Sequence, residues 1–510
     1  YVWTAGSGDT GSPHTFNFDA GRKTAGSKSY DFGAGVLVHN AVYKLAMTCT
    51  DTAGNTFAEP DHTGILYDEV LPTYSAVNIN DNDRIKIGQV TVTISEQFNS
   101  RRVTFTATGG NEAPGTQHTH DLSAPEKTNM SSQTLGDVSP ALVDGTTYNL
   151  SLESTDLAGN VGTPVSRSGI AFDTTAPTFG SLTPATNAYV KLATIVANWT
   201  NSEALSSGSV VYTRTGGSSD PGSPHTHNLS AGEKASGAQS YDFGAGVLVD
   251  GAIYKLDLNG TDVAGNPGTQ VENTNIMYDE TAPGFGSITP VDSQQIRSAT
   301  RIVAYTNSED LSAGSVIYTG TSGSDSGGVH STTFDATSRA TGAHTVDVAG
   351  LVDANTYKLD VKGTDLAGNT TTVTRTGIIY DITNPAFGSI TPATGAKIKA
   401  ATRVVNWTNS EVLSAGEVKY VGTSGGDSGN THSGDLTGKL GSGAQNVDVS
   451  GLIDANTYSL TVSGTDVAGN TATITNTGIV YDTTAPAFTP VTPDAGVRIS
   501  PNTKIVTWSN

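Results

Sequence analysis

The sequence predicts an all-β fold: a tandem array of seven-stranded β-sandwiches, strung one after another into an elongated chain. Three observations carry that prediction. A phrase recurs five times, as CTDTAGN at Cys49–Asn55, STDLAGN at Ser154–Asn160, GTDVAGN at Gly260–Asn266, GTDLAGN at Gly363–Asn369 and GTDVAGN at Gly464–Asn470. Its Asp falls at 51, 156, 262, 365 and 466, in steps of 105, 106, 103 and 101 residues. A period near one hundred is too long for a solenoid coil and matches one small domain. A second phrase keeps the same beat: YDEVLP, FDTTAP, YDETAP, YDITNP and YDTTAP, with Asp68, Asp173, Asp279, Asp381 and Asp482. Between the phrases, short runs of Val, Ile, Tyr, Trp and Thr are parted by Gly, Asp, Asn and Pro, the pattern of strands and turns.

Residues 173–278 show how each element is read. After the linker Asp173–Pro177, strands are expected at Thr178–Thr183, Ala193–Asn201, Val210–Thr215, His225–Leu229, Gln239–Phe243, Tyr254–Thr261 and Asn273–Tyr278. In Tyr254–Leu258 the apolar residues take every second position, which marks a strand with one wet face. Seven short strands in about a hundred residues read as a sandwich. The linkers then divide the chain. Residues 1–67 are the later part of a module, 68–172, 173–278, 279–380 and 381–481 are whole modules, and 482–510 is the first part of another. Aligned on 173–278, Tyr1 matches Tyr212 and Asn510 matches Asn201, so a stretch like Ser202–Val211 would join tail to head into one repeat. Either the segment is a window on a longer array, the preferred reading, or one chain's tail completes the next chain's head in an open fibre.

Composition narrows the function classes. Hydrophobic residues make up 35% and Gly contributes 59 residues, a globular rather than a disordered balance. The net charge of −21 repels nucleic acid and anionic membranes, so neither is an expected partner, and it attracts cations. No apolar run approaches the roughly 20 residues of a membrane span. No signal peptide is legible at Tyr1-Val2-Trp3, which reads as an internal strand. The single cysteine, Cys49, cannot form an intramolecular disulfide and is expected as a small buried hydrophobe. Trp199, Trp407 and Trp508 share one strand position, with Tyr305 standing in, and are expected in the core.

The stretch from Leu351 through Asp353, Tyr357 and Leu359 to Val361 resembles the sixth strand of fibronectin-III and bacterial immunoglobulin-like modules. Tyr357 stands where those folds place a tyrosine corner, and Tyr43, Tyr148, Tyr254 and Tyr458 hold the same place in the other copies. The D-x-T-A-P linker together with the T-D-x-A-G-N loop resembles the tandem immunoglobulin-like repeats of very large bacterial surface adhesins. That resemblance covers the whole chain and implies an extracellular, cell-surface setting. It departs at Asp68-Glu-Val-Leu-Pro72 and Asp381-Ile-Thr-Asn-Pro385, where side chains beside the Asp change.

A third phrase identifies the candidate chemistry. SEQ at Ser95–Gln97, NSEAL at Asn201–Leu205, NSEDL at Asn307–Leu311 and NSEVL at Asn409–Leu413 place a Glu 28, 30, 30 and 30 residues after the linker Asp. In an up-and-down sandwich, the linker, the turn after the second strand and the turn after the sixth lie at one pole. Three carboxylates should therefore converge in each module: Asp68, Glu96 and Asp156; Asp173, Glu203 and Asp262; Asp279, Glu309 and Asp365; and Asp381, Glu411 and Asp466. Two such charges 4 Å apart cost roughly 1 kcal/mol in water and about 4 at an effective dielectric of 20. A bound cation would cancel that cost, and hard oxygen ligands without Cys or His select Ca²⁺. Asn160, Asn266, Asn369 or Asn470 could complete the shell, as could Asp144, Asp250, Asp353 or Asp454 of the preceding module, where the first copy has His39-Asn40.

A second recurrent pair, Asp9/His14, Asp220/His225, Asp325/His330 and Asp427/His432, with Glu112/His118 in the remaining copy, offers too few ligands for zinc. It is expected to brace a loop or to make lateral contacts between strings. Catalysis has little support, since H-E-x-x-H does not appear, the G-x-S-x-G match at Gly422–Gly426 falls in a Gly-Ser-rich hairpin loop, and the acids come in equal sets. The expected function is a calcium-rigidified stalk or filament, with other copies of the chain as head-to-tail or lateral partners. The alternative is an adhesin whose modules bind a glycan or protein ligand, for which Gly109–Asn129, the loop that differs most between copies, is the candidate.

Overall fold

The computed structural model describes residues 1–489, 491–502 and 504–509, so Asn510 and its alignment with Asn201 lie outside the described residues. The chain groups into two units, Tyr1–Ala188 with Leu192–Met277, and Tyr189–Lys191 with Tyr278–Asn510. Strands and turns dominate both.

Residues 381–481 show the recurring architecture. Its strands are β1 (Phe387–Thr391), β2 (Lys397–Ile398), β3 (Val405–Asn409), β4 (Leu413–Ser424), β5 (Thr431–Ser433), β6 (Gly443–Val447), β7 (Asn456–Asp466) and β8 (Thr471–Tyr481). They form two sheets, ordered β1-β3-β6 and β2-β8-β7-β4-β5. Along β7 the side chains alternate inward and outward, and Tyr458, Leu460 and Val462 are buried. They meet Trp407 of the facing sheet and Val418, Tyr420 and Ile479 in one apolar core. This is an immunoglobulin-like sandwich. The same pair of sheets recurs at 68–172 and 279–380.

The strand count corrects the expectation of seven. All seven runs expected in 173–278 overlap a strand, but each repeat has an eighth, of two residues: Arg84–Ile85, Tyr189–Val190, Gln295–Ile296 and Lys397–Ile398. After β1, Pro392 offers no N–H to continue the ladder, and Gly395 turns the chain at a φ of 76°. The chain crosses to the other sheet, where Ile398 pairs in parallel with Tyr481 at the end of β8.

Two core expectations fail at the ends of the segment. Trp199, Trp407 and Tyr305 are buried, but Trp508 is 59% exposed. Cys49 is exposed, as is Met47. The reason is the same in both places. Residues 1–67 carry one three-stranded sheet, Val2–Gly6, Ala41–Thr50 and Thr56–Leu66, and no facing sheet covers it among the described residues.

At the pole opposite the linker, a three-residue brace repeats in all five copies. Tyr458 donates its hydroxyl hydrogen to Asp427 Oδ2 (2.5 Å) and accepts the N–H of Ile453 (2.8 Å). The same carboxylate oxygen lies 2.6 Å from His432 Nε2. Tyr43/Asp9/His14, Tyr148/Glu112/His118, Tyr254/Asp220/His225 and Tyr357/Asp325/His330 repeat the arrangement. The Asp/His pair thus fixes a loop to the tyrosine corner, as the bracing reading expects. The Tyr458 hydroxyl, followed by Asn430 and His432, holds the Asp427 carboxyl down at about 2, below its ordinary 3.8. A depressed acid contributes stability above its unfolded value and loses it as pH falls through the folded one. The stability of 381–481 should therefore decline between about pH 4 and pH 2. Asp427→Asn should flatten that decline in acid-unfolding curves followed by circular dichroism; an unchanged slope would show that the brace carries no charge-dependent stability.

Candidate metal centres

The register of the long sheet places each triad. Leu413, the first residue of β4, stands opposite Asp466, the last residue of β7. Glu411, two residues earlier in the turn after β3, is thereby brought beside that Asp. Phe98 opposite Asp156, Leu205 opposite Asp262 and Leu311 opposite Asp365 do the same for Glu96, Glu203 and Glu309. The linker Asp closes the set. Every one of the twelve expected residues takes its place: in each of the four triads, one carboxylate oxygen per residue lies within 4.8 Å of the others. Oxygens bound to one Ca²⁺ at 2.3–2.6 Å can stand at most about 5 Å apart, so the spacing suits that ion.

Local bonding fixes the buried Asp. Asp466 Oδ1 accepts the N–H groups of Gly469 (2.6 Å) and Asn470 (2.8 Å), and Asp156, Asp262 and Asp365 likewise accept from Asn160, Asn266 and Asn369. All four Asp side chains are fully buried, while the Glu and linker Asp are partly exposed. Asp365 Oδ2 is a buried acceptor with no hydrogen-bond partner among the described residues. Such an orphaned acceptor is costly, and a cation would satisfy it.

The electrostatics bear the mark of crowding. Burial, then the charges of the two neighbouring Asp, pushes the Glu96, Glu203 and Glu411 carboxyls up. Asp381 is also raised, by burial first and then by Asp466 and Asp353. The four sets are not identical. Arg84 Nη1 lies 3.6 Å from Asp173 Oδ2 in the second, and His39 Nδ1 lies 3.2 Å from Asp68 Oδ1 in the first.

Two groups expected as auxiliary ligands also brace the linker. The Asn side chains donate to the linker backbone: Asn160 to Asp68 O, Asn266 to Asp173 O, Asn369 to Asp279 O and Asn470 to Asp381 O, at 2.9–3.0 Å. Asp144, Asp353 and Asp454 grip the linker that follows them. In Asp353, Oδ1 accepts the Ile382 N–H (2.8 Å) and Oδ2 the Thr383 hydroxyl (2.6 Å). Asp144 holds Thr174 and Thr175, and Asp454 holds Thr483 and Thr484, in the same way. Where His39 replaces the Asp, Val70 replaces that Thr.

Sequence reasoning missed one recurrent group. Lys86, Lys191, Arg297 and Lys399 each stand 18 residues after a linker Asp, directly after the short strand. Their constant spacing from the linker was the available signal.

No family model matches the chain, and no curated protein matches its sequence. Among solved structures, it is similar to a Ca²⁺-stabilised adhesin that helps an Antarctic bacterium reach out and bind ice, at 21% identity over 81% of this chain and 99% of that one, with a TM-score of 0.25. A tetra-tandem repeat from the extending region of a large adhesion protein is 20% identical over 80% of this chain and 99% of that one, with a TM-score of 0.26. The FN1–FN3 domains of chicken CNTN1 are 10% identical over 60% of this chain and 98% of that one, with a TM-score of 0.21.

Because Glu411 is raised, its ionised form opposes folding in the absence of a cation. Glu411→Gln should raise the unfolding temperature of chelator-treated protein by about 2 °C, the scale of one half-exposed charge interaction. It should lower that temperature in millimolar Ca²⁺. Calorimetry under both conditions checks the pair of signs; a drop in both would mean that Glu411 is not repelled by its neighbours.

Proposed function

We propose that the chain is a structural segment of an extracellular stalk or filament, built from immunoglobulin-like modules whose joints are stiffened by Ca²⁺. The modules are those at 68–172, 173–278, 279–380 and 381–481, flanked by partial ones at 1–67 and 482–510. The observation that carries this reading is the fourfold repetition of one acidic triad, each at the place where a linker enters a sandwich. A lone acidic cluster is unremarkable, but four in register, each containing a fully buried Asp, keep an unfavourable charge pattern that a cation would relieve. Asp68, Glu96 and Asp156, and the three sets equivalent to them, would hold the ion. When bound, Ca²⁺ supplies charge neutralisation and six to eight loosely directed coordination positions.

The consequence is mechanical. Each triad unites a linker with two turns of the sandwich that follows, so a ligated triad fixes the direction in which the chain enters. Short Pro-containing linkers add stiffness. Without such a tie, neighbouring domains move independently. Equal sites at every joint suit extension rather than turnover, and the partners implied are other copies of the chain in a longer array.

A second reading rests on one difference. Among the described residues, the α-helix Ala124–Thr128 lies in 68–172, which also has Arg101 and Ser154 where the other whole repeats have glycine. An open cleft there is lined by Ser100, Arg102, Asp121, Glu153 and Thr155, side chains suited to a hydroxyl-rich glycan. Loss of glycan-array binding in Arg102→Ala would support that role.

Small-angle scattering in Ca²⁺ and then in chelator tests the mechanical reading. The maximum dimension should shorten on chelation and recover on adding Ca²⁺, and cleavage at Asp173–Pro177 and Asp381–Pro385 should quicken. Identical profiles would contradict it.

A further inference from the structure

The basic residues placed 18 after each linker Asp have no part in a triad, yet they reach the triad that follows. In the first unit, Lys86 Nζ donates to Gly265 O, 179 residues on, in the T-D-V-A-G-N loop of the next repeat. In the second unit, Arg297 Nη1 donates to Gly469 O and Lys191 Nζ to Gly368 O, each at 2.5 Å. The accepting glycines have φ of 92°, 98° and 90°, a left-handed turn that leaves the carbonyl facing the incoming cation. Charge-assisted bonds of this kind are among the stronger ones in proteins.

The residue before each base holds the other end of the triad. Ile85 O accepts the N–H of Asp173 (2.9 Å), Val190 O that of Asp279 (2.9 Å) and Ile296 O that of Asp381 (2.8 Å). Two adjacent residues of one repeat therefore grip two acids of the next. The backbone carbonyl fixes the linker Asp. The basic side chain fixes the loop whose buried Asp (Asp262, Asp365 or Asp466) is the second corner. These are the two groups that mutual repulsion would drive apart. Lys399 and Ile398 repeat the design ahead of Asp482, whose N–H bonds Ile398 O at 2.9 Å.

We propose that the basic residue at this place is a positioning residue for the cation site of the following repeat, and a metal-independent latch across the joint. It rests on reading the triads as cation sites, but the latch itself does not need a cation. It holds the loop Asp against the linker Asp before any ion arrives. The joint then starts partly closed, and ion binding finds two of its three acids in place.

The test uses the full chain with Lys86→Ala, Lys86→Arg, Arg297→Ala and Arg297→Lys. Two quantities are read: Ca²⁺ affinity by calorimetric titration, and the rate of linker cleavage in chelator. Each alanine variant should weaken Ca²⁺ binding at one site about tenfold, the usual scale for losing an outer contact that orients a ligand. It should also speed cleavage in chelator, at Asp173–Pro177 for Lys86 and at Asp381–Pro385 for Arg297. The Lys/Arg exchanges should retain both properties, and unfolding temperatures should stay at the wild-type value. Unchanged cleavage in chelator would overturn the latch. Tighter Ca²⁺ binding in the alanine variants would overturn the positioning role, because it is what removal of a repelling charge alone would produce. Wild-type protein that takes up no Ca²⁺ would sink the cation reading, while the cleavage comparison would still decide the latch.

Discussion

Mutual repulsion among three carboxylates is the constraint around which each joint is organised. The fold cannot avoid it. The register that sets Leu413 against Asp466 necessarily brings Glu411 beside that Asp, and the linker adds Asp381 from the other side. The cost appears in the raised Glu96, Glu203, Glu411 and Asp381 carboxyls and in the orphaned Asp365 Oδ2. The repulsion falls where one sandwich gives way to the next.

Several devices contain it. Backbone N–H groups of the A-G-N turn cap the buried Asp, and the Asn amide ties that turn to the linker carbonyl. The preceding repeat grips the linker through Asp353 and the loop through Arg297. These bonds run through the backbone and through side chains outside the triads. They set the positions of the acids while leaving one oxygen of each within reach of a shared ion. His39 stands near Asp68 in the first triad and Arg84 near Asp173 in the second.

Much of this was legible in the sequence, for identifiable reasons. The β periodicity of Tyr254–Leu258 and its siblings is strong because one face is buried, and it located the long strands of 173–278. The triads could be found because sandwich topology converts spacings of 28–30 and 85–89 residues into proximity. The two-residue strands could not, since Lys397-Ile398 is too short to show alternation and its partner lies at the far end of the repeat. The basic latches were missed with them. The Asn of A-G-N was expected as a ligand because side-chain amides can bind Ca²⁺; its competing role as a donor to the linker is a tertiary fact. Cys49 and Trp508 occupy core positions in the pattern, but burial needs a second sheet, which their own segments do not supply among the described residues.

Native mass spectrometry of the chain in millimolar Ca²⁺ addresses the central claim most directly. Four ions per chain should be retained, one for each triad, and Asp466→Asn should reduce the number to three. A chain that retains no Ca²⁺, or the same number after that substitution, would contradict the account.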